Sequence, residues 1–209
     1  ILLRNNSGWD EVFNSVREEE AVSGAVRGNA YHRVMELMDF EQLVSELGGG
    51  SGEDYETYRG HWRQEKAVDV LRAFLEAEVA SRRLKREYAD AVNVRKLLHF
   101  LESELAYRML AAQREGKLYR EQPFVMGVSA AKLGGDFPDT ESVLIQGIID
   151  VFFEEGDGIV LLDYKTDAVS TMEELRNRYE TQLDYYSEAL TKLGQKPVTE
   201  KLLYSFHLE

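Results

Sequence analysis

Two aspartates can meet on what the sequence predicts to be a single β-hairpin. The apolar segments 143–153 and 159–164 are separated by a short sequence with two glycines, which is typical of a tight turn. A turn centred on residues 156–157 places Asp150 directly opposite Asp163. Opposed residues of antiparallel strands have Cβ atoms about 4.5 to 5.5 Å apart, so both carboxylates can reach one cation.

A lysine completes this arrangement. Lys165 follows Asp163 by two residues, and side chains two residues apart lie on the same face of a strand. Both strands are otherwise apolar, as in a sheet covered on both faces, where neighbouring carboxylates repel each other and are costly to desolvate. A divalent cation removes that cost. The alternative is an Asp–Lys ion pair at the end of a sheet, but it needs one acid and leaves the second unexplained.

Hydrolysis of a phosphodiester suits these groups. Metal ions held by carboxylates lower the pKa of a bound water and neutralise charge on the phosphate, while a nearby ammonium stabilises the transition state. The chain has no cysteine, which excludes thiolate zinc sites and iron–sulfur clusters. The remaining hard ligands favour Mg²⁺ or Mn²⁺ as the cofactor.

The elements that position these residues change in type near residue 116. Before it, apolar residues recur at helical spacing, and we predict helices at 11–22, 28–40, 61–79 and 92–113, with a flexible loop at 47–60. After it, short runs rich in Val, Ile, Phe and Tyr alternate with turn residues. There we predict strands at Leu118–Val128, Val143–Phe153, Ile159–Tyr164 and Thr199–His207, a loop at 129–141, and a helix at Thr171–Leu193. The last helix begins with a capping box.

This order predicts an α/β fold in which N-terminal helices pack on a small mixed β-sheet with the order β-β-β-α-β. The 209 residues are expected to form a single domain, 1–209. The chain begins without Met and ends in an apolar segment, so we expect a piece excised from a longer protein, with 208–209 as a possible cloning remnant. It has neither a signal peptide nor an apolar stretch of membrane-spanning length, which favours a cytoplasmic protein with no membrane partner.

Charge is distributed unevenly along the chain. The net charge is −13, which opposes unaided attraction of nucleic acid, yet residues 61–120 carry 13 basic and 9 acidic residues. A basic cluster lies there, formed by Arg82, Arg83, Lys85 and Arg86. It is either a solvated helix face or a contact for a nucleic-acid backbone.

Five short motifs resemble one family. Gly147–Asp150 followed by Asp163–Thr166 is similar to the PD-(D/E)XK nuclease signature in its RecB-like form. Gly28–His32 resembles the GxxxH helix of that family, Glu121–Phe124 its strand before the catalytic hairpin, and Gln182–Tyr186 its QxxxY helix. The amino-acid sequences of these segments are most similar to those of the C-terminal nuclease domains of AddA-type subunits of bacterial AddAB helicase–nucleases.

The resemblance implies roles for individual residues. The metal ligands would be His32, Asp150, Asp163 and the backbone carbonyl of Tyr164, and the catalytic group would be Lys165. Gln182 and Tyr186 would position the substrate or the catalytic residues. From the residues alone, His32 is more simply explained as a surface or capped histidine, and Tyr186 is equally well explained as a core residue. Glu36 and Glu121 are candidates to support the ligands, although both are explained more simply as structural.

The function implied is a metal-dependent deoxyribonuclease in double-strand-break repair and recombination. It would act as an exonuclease mainly on single-stranded DNA, fed by the helicase region of the same parent chain in a bacterial heterodimer with an AddB-like second subunit. Two alternatives stay open. One is a catalytically silent DNA-holding or subunit-contact module with the same fold, and the other is a hydrolase for small phosphorylated substrates.

Overall fold

The computed structural model describes residues 24–129, 142–194 and 196–208. The helices are α1 (24–37), α2 (Phe40–Glu46), α3 (Tyr55–Trp62), α4 (Lys66–Ala80), α5 (Arg86–Ala91), α6 (Val94–Leu101), α7 (Glu104–Arg114) and α8 (Met172–Lys192). The strands are β1 (Leu118–Ser129), β2 (Ser142–Glu155), β3 (Gly158–Lys165) and β4 (Val198–Ser205). The helix predicted at 11–22 lies outside the described residues, and so does the loop predicted at 129–141 except for Ser129, which is the last residue of β1.

The four strands form one mixed sheet in the order β1-β2-β3-β4. The first three pair antiparallel, whereas β3 and β4 pair parallel. A parallel pair needs a crossover connection, and α8 provides it by running from the end of β3 back to the start of β4. The predicted α/β class with the order β-β-β-α-β is confirmed.

Each face of the sheet is covered by its own apolar core. On one face the N-terminal helices bury a large cluster against the sheet, including Val160, Leu162 and Tyr164 of β3. On the other face α8 packs Leu183 and other apolar side chains on Ile159, Leu161 and their neighbours. All residues of β3 before Lys165 are therefore buried, which places the polar groups of this strand between two apolar layers.

The long helices predicted in the N-terminal half are interrupted. The helix predicted at 28–40 ends at residue 37, and Phe40 begins a new one because Asp39 caps it, its side chain accepting the Gln42 N–H at 3.1 Å. The segments 61–79 and 92–113 are likewise each divided in two. In the second, Ser103 is the new N-cap and accepts the Ala106 N–H at 3.2 Å. Such caps satisfy N–H groups that a helix start leaves unpaired.

The loop predicted at 47–60 is shorter than expected. Asp54 accepts the Thr57 N–H at 2.8 Å and starts α3, so residues from Tyr55 onward are helical. Tyr58 and Trp62 of this helix are buried in the core. The prediction was wrong for 55–60 because the glycine-rich sequence before Asp54 indicated a loop, whereas the buried Tyr58 and Trp62 lie on one face of a helix.

The helix α8 begins and ends as predicted. Thr171 is its N-cap and accepts the Glu174 N–H at 3.1 Å, and Glu174 in turn accepts the N–H of Ser170 at 3.1 Å. Its last turn closes at Leu193 and Gly194, which has a φ of +74°. No helix in the described part of the chain is long and apolar enough to cross a membrane.

The pairing of β3 with β4 depends on one small residue. A Cβ added to Gly158 would lie 3.0 Å from the Cβ of Thr199 and closer still to its Oγ1 and Cγ2. We predict that Gly158→Ala destabilises the chain by about 1 to 3 kcal/mol, measured by urea unfolding. Thr199→Ala in the same chain should recover most of the loss. If the double variant is no more stable than Gly158→Ala alone, overcrowding between these two side chains is not the cause.

Candidate active site

The turn between β2 and β3 sets the position of two carboxylates. It contains two residues, and the first, Gly156, has a φ of +56°. The ladder then runs from Glu155 opposite Gly158 to Val151 opposite Leu162, which confirms the predicted register. One step further the pattern brings Asp150 and Asp163 to facing positions.

The regular ladder stops at this step. The Tyr164 N–H donates to Asp150 Oδ2 at 2.9 Å, so a side chain takes the place of a strand carbonyl. Asp150 is 7% exposed and Asp163 is 1% exposed. Both carboxyls thus lie where the hairpin ends its backbone pairing, inside the two-sided core.

A third carboxylate lies on the other side of Asp150. The β1–β2 ladder pairs Arg120 with Val151 and Gln122 with Ile149, and it skips Glu121 and Asp150 between them. Glu121 has a φ of +48°, a left-handed conformation that costs a non-glycine residue about 1 kcal/mol or more. The interruption brings Glu121, Asp150 and Asp163 into one row across three neighbouring strands.

The alternation of β2 side chains between the two faces of the sheet is also interrupted at this row. Ile149 and Phe152 contribute to the core under α8, whereas Val151 and Phe153 contribute to the core under the N-terminal helices. In a regular strand Ile149 and Val151 would share a face. The shift by one residue around Asp150 keeps apolar side chains buried on both faces while the carboxylates gather at the crossover point.

Helix α1 adds a histidine to the row. His32 Nδ1 lies 3.3 Å from Asp150 Oδ1 and 4.0 Å from Glu121 Oε1. One helical turn earlier, a Cβ at Gly28 would be 3.4 Å from Thr166 Oγ1, so this turn of α1 passes close to the end of β3. The small residue at this position lets α1 approach the sheet and carry His32 to the carboxylates.

These groups fit a divalent cation. Among the described residues, His32, Glu121 and Asp150 offer ligand atoms that all lie within 4.8 Å of one another. Asp163 is outside that group, and its Oδ2 is 2.6 Å from Lys165 Nζ. Its Oδ1 is buried and accepts no hydrogen bond, an arrangement that is costly unless a cation is nearby. Carboxylates with one imidazole are suited to Mg²⁺ or Mn²⁺.

The lysine is held by helix α8. Lys165 Nζ donates to Gln182 Oε1 at 3.1 Å, and Gln182 Nε2 donates to the Tyr186 hydroxyl at 2.5 Å. The ammonium also lies 3.9 Å from the centroid of the Tyr179 ring, a cation–π contact. Three residues on one stripe of α8 thus fix the ammonium beside Asp163, and only 11% of the lysine side chain is exposed.

Burial and mutual repulsion change the ionisation of the acids. Burial, together with the charge of Asp150, raises the pKa of Asp163 to about 7, although Lys165 opposes the change. The same two causes raise the pKa of Glu121 to about 7. Burial lowers the pKa of His32, but the hydrogen bond and charge of Asp150 outweigh it, so the pKa is raised overall. Together these raised pKa values mean that the three groups hold more protons near neutral pH than separate residues would.

The residues singled out from the sequence lie together. Asp150, Asp163, Lys165 and His32 converge. From α8, Gln182 contacts the lysine, and Tyr186 contacts Gln182. The backbone of Tyr164 takes part through its N–H, and its carbonyl as a metal ligand stays a prediction. Glu36 instead pairs with Arg33 at 2.5 Å.

Two further residues contact the site. Glu121 is a candidate from the sequence to support the ligands, although it is explained there more simply as structural, and the structure places its carboxylate 4.0 Å from His32. Tyr179 is a contact that the sequence reasoning missed, because nothing in the sequence indicates that its ring lies against Lys165.

Comparison with known proteins gives consistent matches. Residues 9–208 match the model of the PD-(D/E)XK nuclease superfamily. Three similar proteins are each named as one subunit of an ATP-dependent helicase/nuclease. They come from Lachnoclostridium phytofermentans (36% identical over 92% of this chain), Clostridium perfringens (37% over 94%) and Clostridium botulinum strain Loch Maree (33% over 100%). The chain spans only 14 to 15% of the length of these relatives.

The raised pKa of Asp163 leads to a prediction about stability without metal. Because this pKa lies above its ordinary value of 3.8, the stability that the protonated carboxyl gives is present below 3.8 and lost as the pH rises through about 7. We predict that Asp163→Asn is more stable than wild type by roughly 1 to 4 kcal/mol above pH 7. The difference should shrink towards pH 4.

Thermal unfolding in excess chelator between pH 4 and 8 measures this. The control is Asp184→Asn, since Asp184 is an exposed residue of α8 paired with Lys201. A wild-type chain that stays as stable as Asp163→Asn at pH 8 would contradict the assigned repulsion between Asp163 and Asp150.

Proposed function

Since this chain belongs to the PD-(D/E)XK nuclease superfamily, we propose that it hydrolyses phosphodiester bonds of DNA with the help of Mg²⁺ or Mn²⁺. The observation that carries the proposal is the row of Glu121, Asp150 and Asp163 with Lys165 at its end. Burying such a row of carboxylates costs free energy unless a positive charge compensates them. A cation bound there would compensate them and could also bind the phosphate of the substrate.

The cation would be held by His32, Asp150 and Asp163, with Glu121 beside them and the carbonyl of Tyr164 as a further ligand. When bound, it supplies the Lewis acidity that activates water and neutralises phosphate charge. Glu121 and His32 are each about 30% exposed on their side chains, whereas Asp163 is buried. Substrate would therefore approach from the His32–Glu121 side.

Lys165 brings a positive charge to the same place. An ammonium fixed in advance can stabilise the negative charge that develops on the phosphate without reorganising during the reaction. Its contacts with Gln182 and Tyr179 hold it in position, and Tyr186 holds Gln182 in turn. Gln182 and Tyr186 would thus act on the reaction through the lysine.

The substrate and assembly are inferred from the relatives and from charge. The similar proteins are named as subunits of ATP-dependent helicase/nucleases, and we infer that this chain is the nuclease part of an AddA-type protein, working with an AddB-like second subunit in DNA break repair. With a net charge of −13, the chain gains from a motor that feeds it single-stranded DNA. We propose that the chain acts on that strand as an exonuclease.

Metal dependence is the first prediction. The 209-residue chain should cut end-labelled DNA with Mg²⁺ or Mn²⁺, prefer single strands over duplex, and lose activity in excess EDTA because its ligands are hard donors. Ca²⁺ should bind and support little turnover. Undiminished cleavage in EDTA would exclude the proposed metal site. DNA binding with no cleavage under any metal would favour the silent holding module instead.

Single substitutions test the residues. Asp150→Ala, Asp163→Ala and Lys165→Ala should each lower kcat by about 100-fold or more, because each removes charge that acts on the phosphate or the cation. Circular dichroism should show an intact fold. The matched controls are Asp69→Ala and Lys66→Ala on α4, both exposed, which should cut as wild type does. A wild-type rate in any of the three site variants would remove that residue from the mechanism.

A further inference from the structure

The turn after α4 ends the helix in an unusual way. The N–H of Arg82 donates to the Val79 carbonyl and that of Arg83 to the Glu78 carbonyl, both at 3.0 Å. These two bonds define a Schellman motif, in which the residue with left-handed backbone is normally glycine. Here that residue is Arg82, with a φ of +62°. The chain keeps a strained arginine where glycine would fit without strain.

The basic cluster around this turn divides into two kinds of residue. Arg83 pairs with the buried Glu78, and Arg86 pairs with Glu76, both at 2.6 Å. Arg82 and Lys85 have no carboxylate within 4.0 Å among residues 24–129, 142–194 and 196–208. Both line a groove of about 420 Å³. Two cations of the cluster therefore support the turn, and two remain unpaired beside the groove.

The turn is tied to the helix that carries the site histidine. Arg33, which follows His32 on α1, donates from Nε and from Nη2 to the Arg83 carbonyl, each at 3.0 Å. The Glu78 carbonyl accepts the N–H groups of Arg83 and Leu84, each at 3.0 Å. The backbone that carries Arg82 and Lys85 is thus held in place relative to α1 and His32.

We propose that this groove binds the sugar–phosphate backbone of the DNA strand on its way to or from the cleaved bond, with Arg82 and Lys85 contacting phosphates. The proposal rests on the nuclease function proposed above and adds the path of the substrate. Phosphates are recognised by cationic side chains, and these two are exposed in a chain with a net charge of −13. Lys85 is further steadied by the ring of Tyr88, 5.1 Å away.

Two substitutions of Arg82 separate the effect of its charge on DNA binding from the effect of its left-handed backbone on stability. Arg82→Gln removes the charge and keeps a side chain in the left-handed conformation, whereas Arg82→Gly removes both. Lys85→Gln removes the second cation. The matched control is Lys66→Gln, an exposed lysine at the other end of the 15-residue helix α4, about 20 Å away along the helix axis.

Binding is measured by fluorescence anisotropy with a labelled 30-nucleotide oligothymidylate in EDTA and low salt. We expect Arg82→Gln, Arg82→Gly and Lys85→Gln each to raise Kd about threefold to tenfold. Each should also make the negative slope of log K against log salt shallower by about 0.7, because one phosphate contact is lost. Lys66→Gln should bind as wild type does. Because no cleavage is needed, a failure of the nuclease proposal leaves this measurement readable.

Thermal unfolding supplies the second readout. Arg82→Gly should raise Tm by about 1 to 3 °C by relieving the left-handed strain, while Arg82→Gln should not. A more stable variant that binds DNA less well indicates that the arginine is kept for binding. The proposal is overturned if the Arg82 and Lys85 variants bind as tightly as wild type, or if wild type shows no binding at low salt.

Discussion

The desolvation of three neighbouring carboxylates is the constraint on which the site depends. Apolar cores on both faces of the sheet exclude water from Asp163, and buried like charges raise each other's pKa. The interrupted ladder at Glu121 and Asp150, and the lysine held by α8, bring donors and positive charge to this place. The two-layer packing that buries the apolar cores is therefore also what raises the pKa values of Glu121 and Asp163.

The sequence predicted some of these contacts better than others, and loop length explains why. Asp150 and Asp163 are joined by a two-residue turn, which fixes the register of the strands on either side, so their meeting could be predicted by counting. Glu121 reaches Asp150 through the pairing of β1 with β2, which are joined by the longer segment 130–141. A connection of that length does not fix the register by counting, and a left-handed glutamate inside a strand has no sequence signature.

The helical half shows a related limit. Apolar periodicity identified the buried faces correctly, yet it continues across the breaks at Asp39 and Ser103, where a side-chain cap ends one helix and starts the next. The basic cluster after α4 could be found by composition. Composition does not predict which of these cations are paired. That depends on Glu76 and Glu78, which lie earlier on α4 and form ion pairs with Arg86 and Arg83, respectively.

The wide separation of the site residues along the chain has a consequence of its own. His32, Glu121, Asp150 and Asp163 come from four elements, α1, β1, β2 and β3, which meet only in the folded chain. A cation that prefers their assembled form binds the native state and not the unfolded one, so by mass action its concentration shifts the folding equilibrium. Under the proposed function, the stability of this chain is a joint property of the polypeptide and the free metal in its surroundings, and removal of that metal would weaken the fold as well as the chemistry.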